Sequence, residues 1–364
     1  MGRAAKIGAF DYRGLPHRVL FGPGRVAELA DVVRGFGCAK ALILSTPEQR
    51  DVAERVSGIL GDLAAGIFAG AAMHTPVEVT EAALARYAKL GADCIVSVGG
   101  GSTTGLGKAI SLRSGAPQLA IATTYAGSEV TPILGETKDG VKTTQRSDKI
   151  VPNAVIYDVE LTLSLPLRLS ATSGLNAMAH AVEALYARDG NPIVSLMAEE
   201  GLRAFAEALP RVAADPRALD ARTLAQYGAW LCGMCLAQTS MALHHKLCHV
   251  LGGAFDLPHA ETHAIVLPHA TAYNALAAPE AMARIARAIG ADDPATGLYG
   301  LARSLKIPLA LKDIGMPADG VDRVAAMAAK DPYWNPRPIE ADAIRDLIRH
   351  AYEGAPPPAV RLAT

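Results

Sequence analysis

The 364-residue sequence has no excess charge of either sign: 35 Lys and Arg stand against 36 Asp and Glu, a formal net charge of −1. No basic run stands out, which argues against nucleic acid and anionic membrane surfaces as partners. Long apolar runs are missing too, each being broken by Gly, Pro or charge well short of the ~18 residues of a membrane span. Met1 to Phe10 carries charges but lacks the apolar stretch of a signal peptide. The cysteines are few and odd in number (Cys38, Cys94, Cys232, Cys235 and Cys248), which does not suit a secreted disulfide framework. Cys232 and Cys235 form a CxxC within an apolar stretch over 230–236, where one helical turn of small core residues is the better reading than redox or zinc chemistry. These absences predict a protein of the reducing cytoplasm.

What is present is core. Half of the residues are apolar and a fifth are charged, and the length exceeds the ~250–300 residues at which single cores stop growing, so two domains are expected. Over the first part, buried strands are predicted at 19–21, 41–44, 64–68, 94–98, 119–122 and 154–157, with helices at 25–36 and 77–90 between them. Thr75-Pro76-Val77-Glu78 reads as a capping box with Pro at the first helical position, and Gly91 follows the last turn. Strand–helix alternation predicts a parallel sheet covered on both faces, and Asp139-Gly140 predicts an inserted hairpin. After Leu165-Pro166 the texture changes to long Ala- and Leu-rich helices at 173–188, 193–209, 221–233 and 241–251. The expected fold is an α/β N-terminal domain with a Rossmann-like parallel sheet over 1–162 and an all-α C-terminal domain over 163–364.

The strand at 94–98 runs straight into Gly99-Gly100-Gly101-Ser102, and a helix over 103–112 follows. That order brings bare backbone N–H groups and a helix N-terminus against a pyrophosphate; a tight turn with no ligand has the same pattern. Two nucleotide motifs are excluded. A phosphate loop ending at Gly107-Lys108 needs Gly at Ser102 and Ser or Thr at Ala109, and a GxGxxG begun at Gly99 ends on Thr104. A second polar loop, Thr123 to Glu129, follows the strand ending at Ala122, and carboxyl ends of parallel strands are where ligands bind. The strand at 41–44 ends in Ser45-Thr46-Pro47, with no carboxylate to bond an adenosine ribose and repel a 2′-phosphate. NADPH is therefore expected to serve alongside NADH. Thr46, Gly99, Gly100, Gly101, Ser102, Thr123, Thr124 and Ser128 are the candidate cofactor residues, with Lys149 beyond the hairpin assigned to the ribose.

Seven of the ten histidines fall between His180 and His269. Asn176 and His180 are four apart in one helical segment, and His245 and His249 repeat the spacing in another, so each pair shares a face. His259 follows in a loop. Polar groups converging from two helices and a loop resemble a first-row metal site. His263 and His269 are read as structural, and His244 is left open, since it neighbours His245 but points to another face.

At these residues the chain resembles the iron-containing alcohol dehydrogenase family, whose fold is shared with dehydroquinate synthase. The resemblance covers nearly the whole chain and is carried by Gly99 to Ser102, Thr123 to Glu129, residues 173–183 and residues 245–267. It implies a homodimer and a metal held by one Asp and three His; the matching positions here are Asn176, His180, His245 and His259. His249 matches a histidine beside the nicotinamide. Asn176 is a departure, a neutral amide in place of the only anionic ligand, and from it no tightly bound catalytic metal is expected. The segments Gly99 to Lys108, Ala242 to His249 and Asp331 to Pro338 look most like the branch that reduces maleylacetate to 3-oxoadipate in bacterial aromatic-ring degradation. In the last segment Tyr333 and Arg337, with Tyr125 from the second loop, are expected on the substrate carboxylates, since guanidinium matches a carboxylate bidentately. An ordinary surface loop whose Trp334 packs onto the helical domain is the alternative.

The chemistry implied fits the missing carboxylate. Hydride addition to an isolated ketone leaves a localised alkoxide, whereas addition to a conjugated carbon–carbon double bond leaves an enolate that hydrogen-bond donors can stabilise. His249 is expected to line the hydride path, His245 and His259 to stabilise the enolate and supply the proton, and Asn176 and His180 to form the pocket floor. A dianionic substrate would favour protonated rings in the cluster. The rival readings are a metal-dependent alcohol or polyol dehydrogenase of the same family, the lyase chemistry of dehydroquinate synthase, and a non-catalytic nucleotide-binding protein.

Overall fold

The computed structural model of the chain describes residues 10–359 except Asp11, Pro16, Asp331 and the side chain of Lys142; most of the N-terminal stretch Met1 to Phe10 and the first residue of the segment Asp331 to Pro338 therefore lie outside the described residues. The strands are β1 (Arg18–Phe21), β2 (Ala41–Leu44), β3 (Ala64–Phe68), β4 (Cys94–Gly99), β5 (Gln118–Ala122), β6 (Ile133–Lys138), β7 (Val141–Arg146) and β8 (Ala154–Tyr157). The helices of this part are α1 (Leu29–Gly35), α2 (Arg50–Leu60), α3 (Val77–Leu90) and α4 (Gly101–Ser114). Six strands form one parallel sheet in the order β1-β8-β5-β4-β2-β3, while β6 and β7 pair antiparallel as the hairpin turning at Asp139-Gly140.

The sheet reads as continuous apolar runs because helices cover both its faces. Leu42 and Leu44 pack toward α3 and α4 on one side, and Ala41 and Ile43 pack toward α1 and α2 on the other. Chain direction across the sheet reverses between β2 and β4, the place where an open parallel sheet leaves a crevice beyond its carboxyl ends. The loops after β2, β4 and β5 therefore emerge side by side.

Two local expectations are corrected. The helix expected over 25–36 begins as a 3₁₀ turn, Arg25–Glu28, before α1. Thr75 does not cap α3. Its φ is +46° and its carbonyl accepts from Thr137 N, so Pro76 becomes the cap residue and the chain is bent toward the β6–β7 hairpin instead. Gly91 does close α3 in the left-handed conformation, as a C-terminal glycine should.

Beyond β8 the described residues form no strand. The helices are α5 (Leu167–Leu185), α6 (Pro192–Ala214), α7 (Leu219–Gln238), α8 (Leu243–Phe255), α9 (His259–Asn274), α10 (Pro279–Ile289), α11 (Pro294–Ser304), α12 (Gly320–Lys330) and α13 (Ala341–Glu353). Helix α5 is buried nearly throughout and packs on α6, α7 and α9. Cys232 and Cys235 are buried free thiols of α7 and burial pushes both upward from the ordinary thiol range, so the CxxC is core. Among the described residues no helix is long and apolar enough to cross a membrane.

Candidate active site

At the sheet's carboxyl edge, two of the three glycines are there for close approach. A Cβ at Gly99, where φ is +153°, would sit 2.5 Å from Thr103 Oγ1, and one at Gly100 would sit 2.9 Å from the Thr124 side chain. Nothing stands within 4 Å of a Cβ at Gly101, the first residue of α4. No side chain caps that helix, so its leading N–H groups are not spent on one. Thr123 is buried; its N–H donates to the Gly99 carbonyl at 3.1 Å and its Oγ1 accepts from Gln49 Nε2 at 2.9 Å. Thr46 leads into the same Gln49 turn, Pro47–Gln49, and is half-buried. Thus Thr46, Gly99 to Ser102, Thr123 and Thr124 come together. Ser128 ties the loop to α4: its carbonyl accepts from Lys108 Nζ at 2.6 Å and its Oγ lies 3.4 Å from the same nitrogen. Lys149 lies exposed on the turn Asp148–Ile150. Gln49 lies outside the glycine pattern and was not singled out in the sequence, where Lys108 entered only as the end of an excluded phosphate loop and of the segment Gly99 to Lys108.

The second half of the site lies in the helices. Asn176 and His180 lie one turn apart on α5 and are 5% and 3% exposed. From α8, the His245 ring stands 5.2 Å from that of His180 and 6.2 Å from that of His249. His259 is the first residue of α9 rather than part of a loop, and its ring lies 4.2 Å from His263. The structure corrects one reading here and completes another. His263 belongs to the cluster, 5.0 Å from His245, and His244 Nε2 lies 3.0 Å from His263 Nδ1. The signal was available, since His259 and His263 repeat the four-residue spacing of the other two pairs.

The residue that organises the cluster is Glu183, three positions after His180 on α5. Fully buried, its carboxylate accepts from the N–H groups of Ala242 at 2.9 Å and His244 at 2.7 Å, and from His245 Nδ1 at 2.7 Å. The proton on Nδ1 fixes the His245 tautomer and orientation. His245 Nε2 is then left without a partner, as are Asn176 Oδ1 and His180 Nδ1. Burial, and then the neighbouring rings, hold His180, His244 and His263 well below the ordinary histidine value. Burial thus disfavours the imidazolium form in those three rings. Among the described residues His245 has the buried carboxylate at hydrogen-bond distance.

Of the three residues expected on substrate carboxylates, the structure keeps one near the cluster. The Tyr333 hydroxyl lies 3.1 Å from His249 Nδ1, and Lys246 Nζ sits 5.2 Å from the centre of the Tyr333 ring. Tyr125 is wholly buried in the helical core, edge-on to Phe205, with its hydroxyl accepting from Arg222 at 3.3 Å. Arg337 lies 4.1 Å over the Tyr273 ring and donates to the Tyr273 carbonyl, beside a cavity of about 220 Å³ lined also by His269 and His350. Tyr273 is ten residues past His263 along α9, roughly 15 Å at 1.5 Å per residue. The segment is stapled not by Trp334, which is exposed, but by Asn335, bonded to Asn274 and to Leu243 N.

A divalent metal fits this donor set poorly. The four positions offer three imidazoles and an amide without an anion, since Glu183 is committed to His245 and two backbone N–H groups. Among the described residues the His, Cys and carboxylate sets closing to within 4.8 Å are His244, Cys248, His263 and Cys38, Asp93, Cys94, and not His180, His245, His259.

A parallel sheet with ligand loops at its carboxyl edge, joined to helices bearing an imidazole pocket, defines an oxidoreductase of two-part architecture. Residues 16–159 match the family described as iron-containing alcohol dehydrogenase, and residues 170–352 match the Fe-containing alcohol dehydrogenase family, C-terminal. A maleylacetate reductase of Burkholderia cepacia is 55% identical, covering 96% of this chain and 100% of its own. One of a Rhizobium species is 57% identical over 96% and 99%. The crystal structure of maleylacetate reductase from Agrobacterium tumefaciens superposes with a TM-score of 0.93 at 57% identity, covering 96% of this chain and 100% of that one. The chain belongs to the iron-containing alcohol dehydrogenase family.

Proposed function

We propose that the protein uses NADH or NADPH to reduce the carbon–carbon double bond of maleylacetate, a small unsaturated keto-dicarboxylate, yielding 3-oxoadipate. The relatives named for that activity support the substrate. The observation carrying the chemistry is the His245 ring, its Nδ1–H held by buried Glu183, its Nε2 unpartnered and its centre 5.2 Å from that of His180.

The N-terminus of α4, where Gly101 leaves backbone accessible, would take the pyrophosphate of a dinucleotide, with Thr123 and Thr124 bounding the crevice. The nicotinamide would supply hydride to the alkene carbon β to the ketone. The π electrons shift to form an enolate, with charge spread over the α carbon and the ketone oxygen. Protonated His245 donates Nε2–H to that oxygen, with Glu183 stabilising the imidazolium, and the Asn176 amide offers a second donor. Each such donor is worth ~3 kcal/mol in the transition state. Protonation of the α carbon, with His259 at the start of α9 as the donor, completes the saturated ketone; one hydride and one proton are consumed. His249, held by Tyr333, borders the hydride path. No step requires a metal, and the absence of an anionic ligand supports turnover without a tightly bound one. The open tip of β2 at Thr46 supports use of NADPH beside NADH.

Turnover with NADH deuterated at C4 tests this reading. Deuterium is expected on the carbon β to the surviving ketone. Deuterium on a carbinol carbon, or activity only on simple alcohols with added divalent metal, identifies carbonyl reduction and overturns it.

A further inference from the structure

The loop from Thr123 to Thr131 reaches in two directions. Its first residues bound the cofactor crevice: Thr123 is bonded to Gln49 and Gly99, and Thr124 lies against Gly100. Tyr125 then plunges into the helical core. Gly127, with φ at +82°, lies against α7 so closely that a Cβ there would stand 2.9 Å from Gly233 Cα. Glu129 is buried and accepts from the Tyr157 hydroxyl of β8 at 2.8 Å.

We propose that Lys108 and Arg222, two buried basic side chains that hold this loop from the sheet side and the helical side, are positioning residues that set the bound cofactor in register with the imidazoles of α5 and α8. The proposal rests on the cofactor reading above. On the sheet side, Lys108 Nζ donates to the Ser128 carbonyl at 2.6 Å, Thr131 Oγ1 at 2.9 Å and the Ile133 carbonyl at 2.9 Å. On the helical side, the Arg222 guanidinium donates to the Tyr125 hydroxyl at 3.3 Å, Ser170 Oγ at 2.8 Å and the carbonyls of Leu165 at 3.2 Å and Pro216 at 3.0 Å. Leu165 and Ser170 flank the start of α5, the helix that carries Asn176, His180 and Glu183.

Both side chains are fully buried, and burial pulls Lys108 down to about 7 against the opposing effect of nearby Glu129. A buried basic group is costly unless its donors are satisfied, and apolar side chains would fill the same volume without that cost. What these two side chains supply instead is direction: several hydrogen bonds, each satisfied at one relative placement of loop and helix.

The two grips have separable consequences. Loosening Lys108 frees the far end of the loop, Ser128 to Ile133, from α4, the helix whose N-terminus takes the pyrophosphate in the cofactor reading, and so weakens cofactor affinity. Loosening Arg222 leaves the nucleotide held but lets it shift relative to His245, which slows hydride transfer. The test compares Lys108→Met and Arg222→Met with the milder Thr131→Val and Tyr125→Phe, each of which removes one hydroxyl partner. NADH Kd by fluorescence, kcat, and the primary isotope effect with C4-deuterated NADH are measured.

Lys108→Met should raise Kd about tenfold and Thr131→Val about threefold, with kcat at saturating NADH little changed, while Arg222→Met and Tyr125→Phe should keep Kd, lower kcat by about tenfold and threefold, and enlarge the isotope effect. Variants that lower only Tm, or pairs that shift the same parameter alike, overturn the proposal. If the methionine variants do not fold, Thr131→Val and Tyr125→Phe decide it. Wild-type protein that binds no NADH instead contradicts the cofactor reading itself.

Discussion

At the scale of single residues, the site depends most on one carboxylate that carries no recognisable motif. Glu183 spends its oxygens on two backbone N–H groups and His245, so it fixes both the entry to α8 and the tautomer of the ring. Glu183→Gln is nearly isosteric but loses the charge opposite the His245 imidazolium of the proposed mechanism. Its kcat should fall by about 10²–10³ with NADH Kd unchanged; steady-state kinetics and fluorescence titration check this, and a kcat within threefold of wild type contradicts the role. His269, outside the cluster, gives a pH prediction. Burial, then nearby His350, pulls it from the ordinary histidine value of 6.5 to about 4. As pH falls from 6.5 to 4 the unfolded chain takes up a proton that the folded one refuses, so stability is lost across that window, on the order of 3 kcal/mol. Thermal melts of His269→Gln should show a flatter pH dependence there; parallel curves contradict it. Asn176, His180, His245 and His259 were legible from spacing and resemblance. Tyr125 and Arg337 were not, because an aromatic or a guanidinium in a polar loop reads alike whether it meets a ligand or buries itself on Phe205 or Tyr273.

At the scale of elements, the strands were readable for a physical reason: a sheet covered on both faces needs unbroken apolar runs, and β2, β3 and β8 begin and end where those runs do. The long helices were readable by texture, though α5 begins at Leu167, well before the expected start. Thr75 misled because the local capping pattern lost to a tertiary contact with the hairpin at Thr137. Close approaches between elements left no such trace. Gly233 of α7 lies so near the Thr123–Thr131 loop that a Cβ would meet the Gly127 carbonyl oxygen at 2.9 Å, and backbone cannot step aside as a side chain can. Gly233→Ala should destabilise by about 1–3 kcal/mol, a fall in Tm readable by calorimetry. An unchanged Tm means that the loop yields freely. Gly100→Ala meets the Thr124 side chain at a similar distance, and its expected effect is on NADH Kd.

At the scale of the whole molecule, the fold divides the work. In the proposed reading the sheet edge, through Gly101 and the loops after β2 and β5, takes the nucleotide. Helices α5, α8 and α9 carry a ring cluster in which, among the described residues, the carboxylate of Glu183 is bonded to His245. The proposed reduction turns on that allocation, which would make the His245–Glu183 pair, rather than a Lewis acid, the group that meets negative charge on the substrate. The most direct measurement is NADH oxidation with freshly prepared maleylacetate by protein freed of iron and zinc by chelation, with metal content determined on the same sample. Unchanged turnover with metal far below one ion per chain is what the account predicts. Turnover abolished by the chelator and restored in proportion to added Fe²⁺ or Zn²⁺ would contradict it.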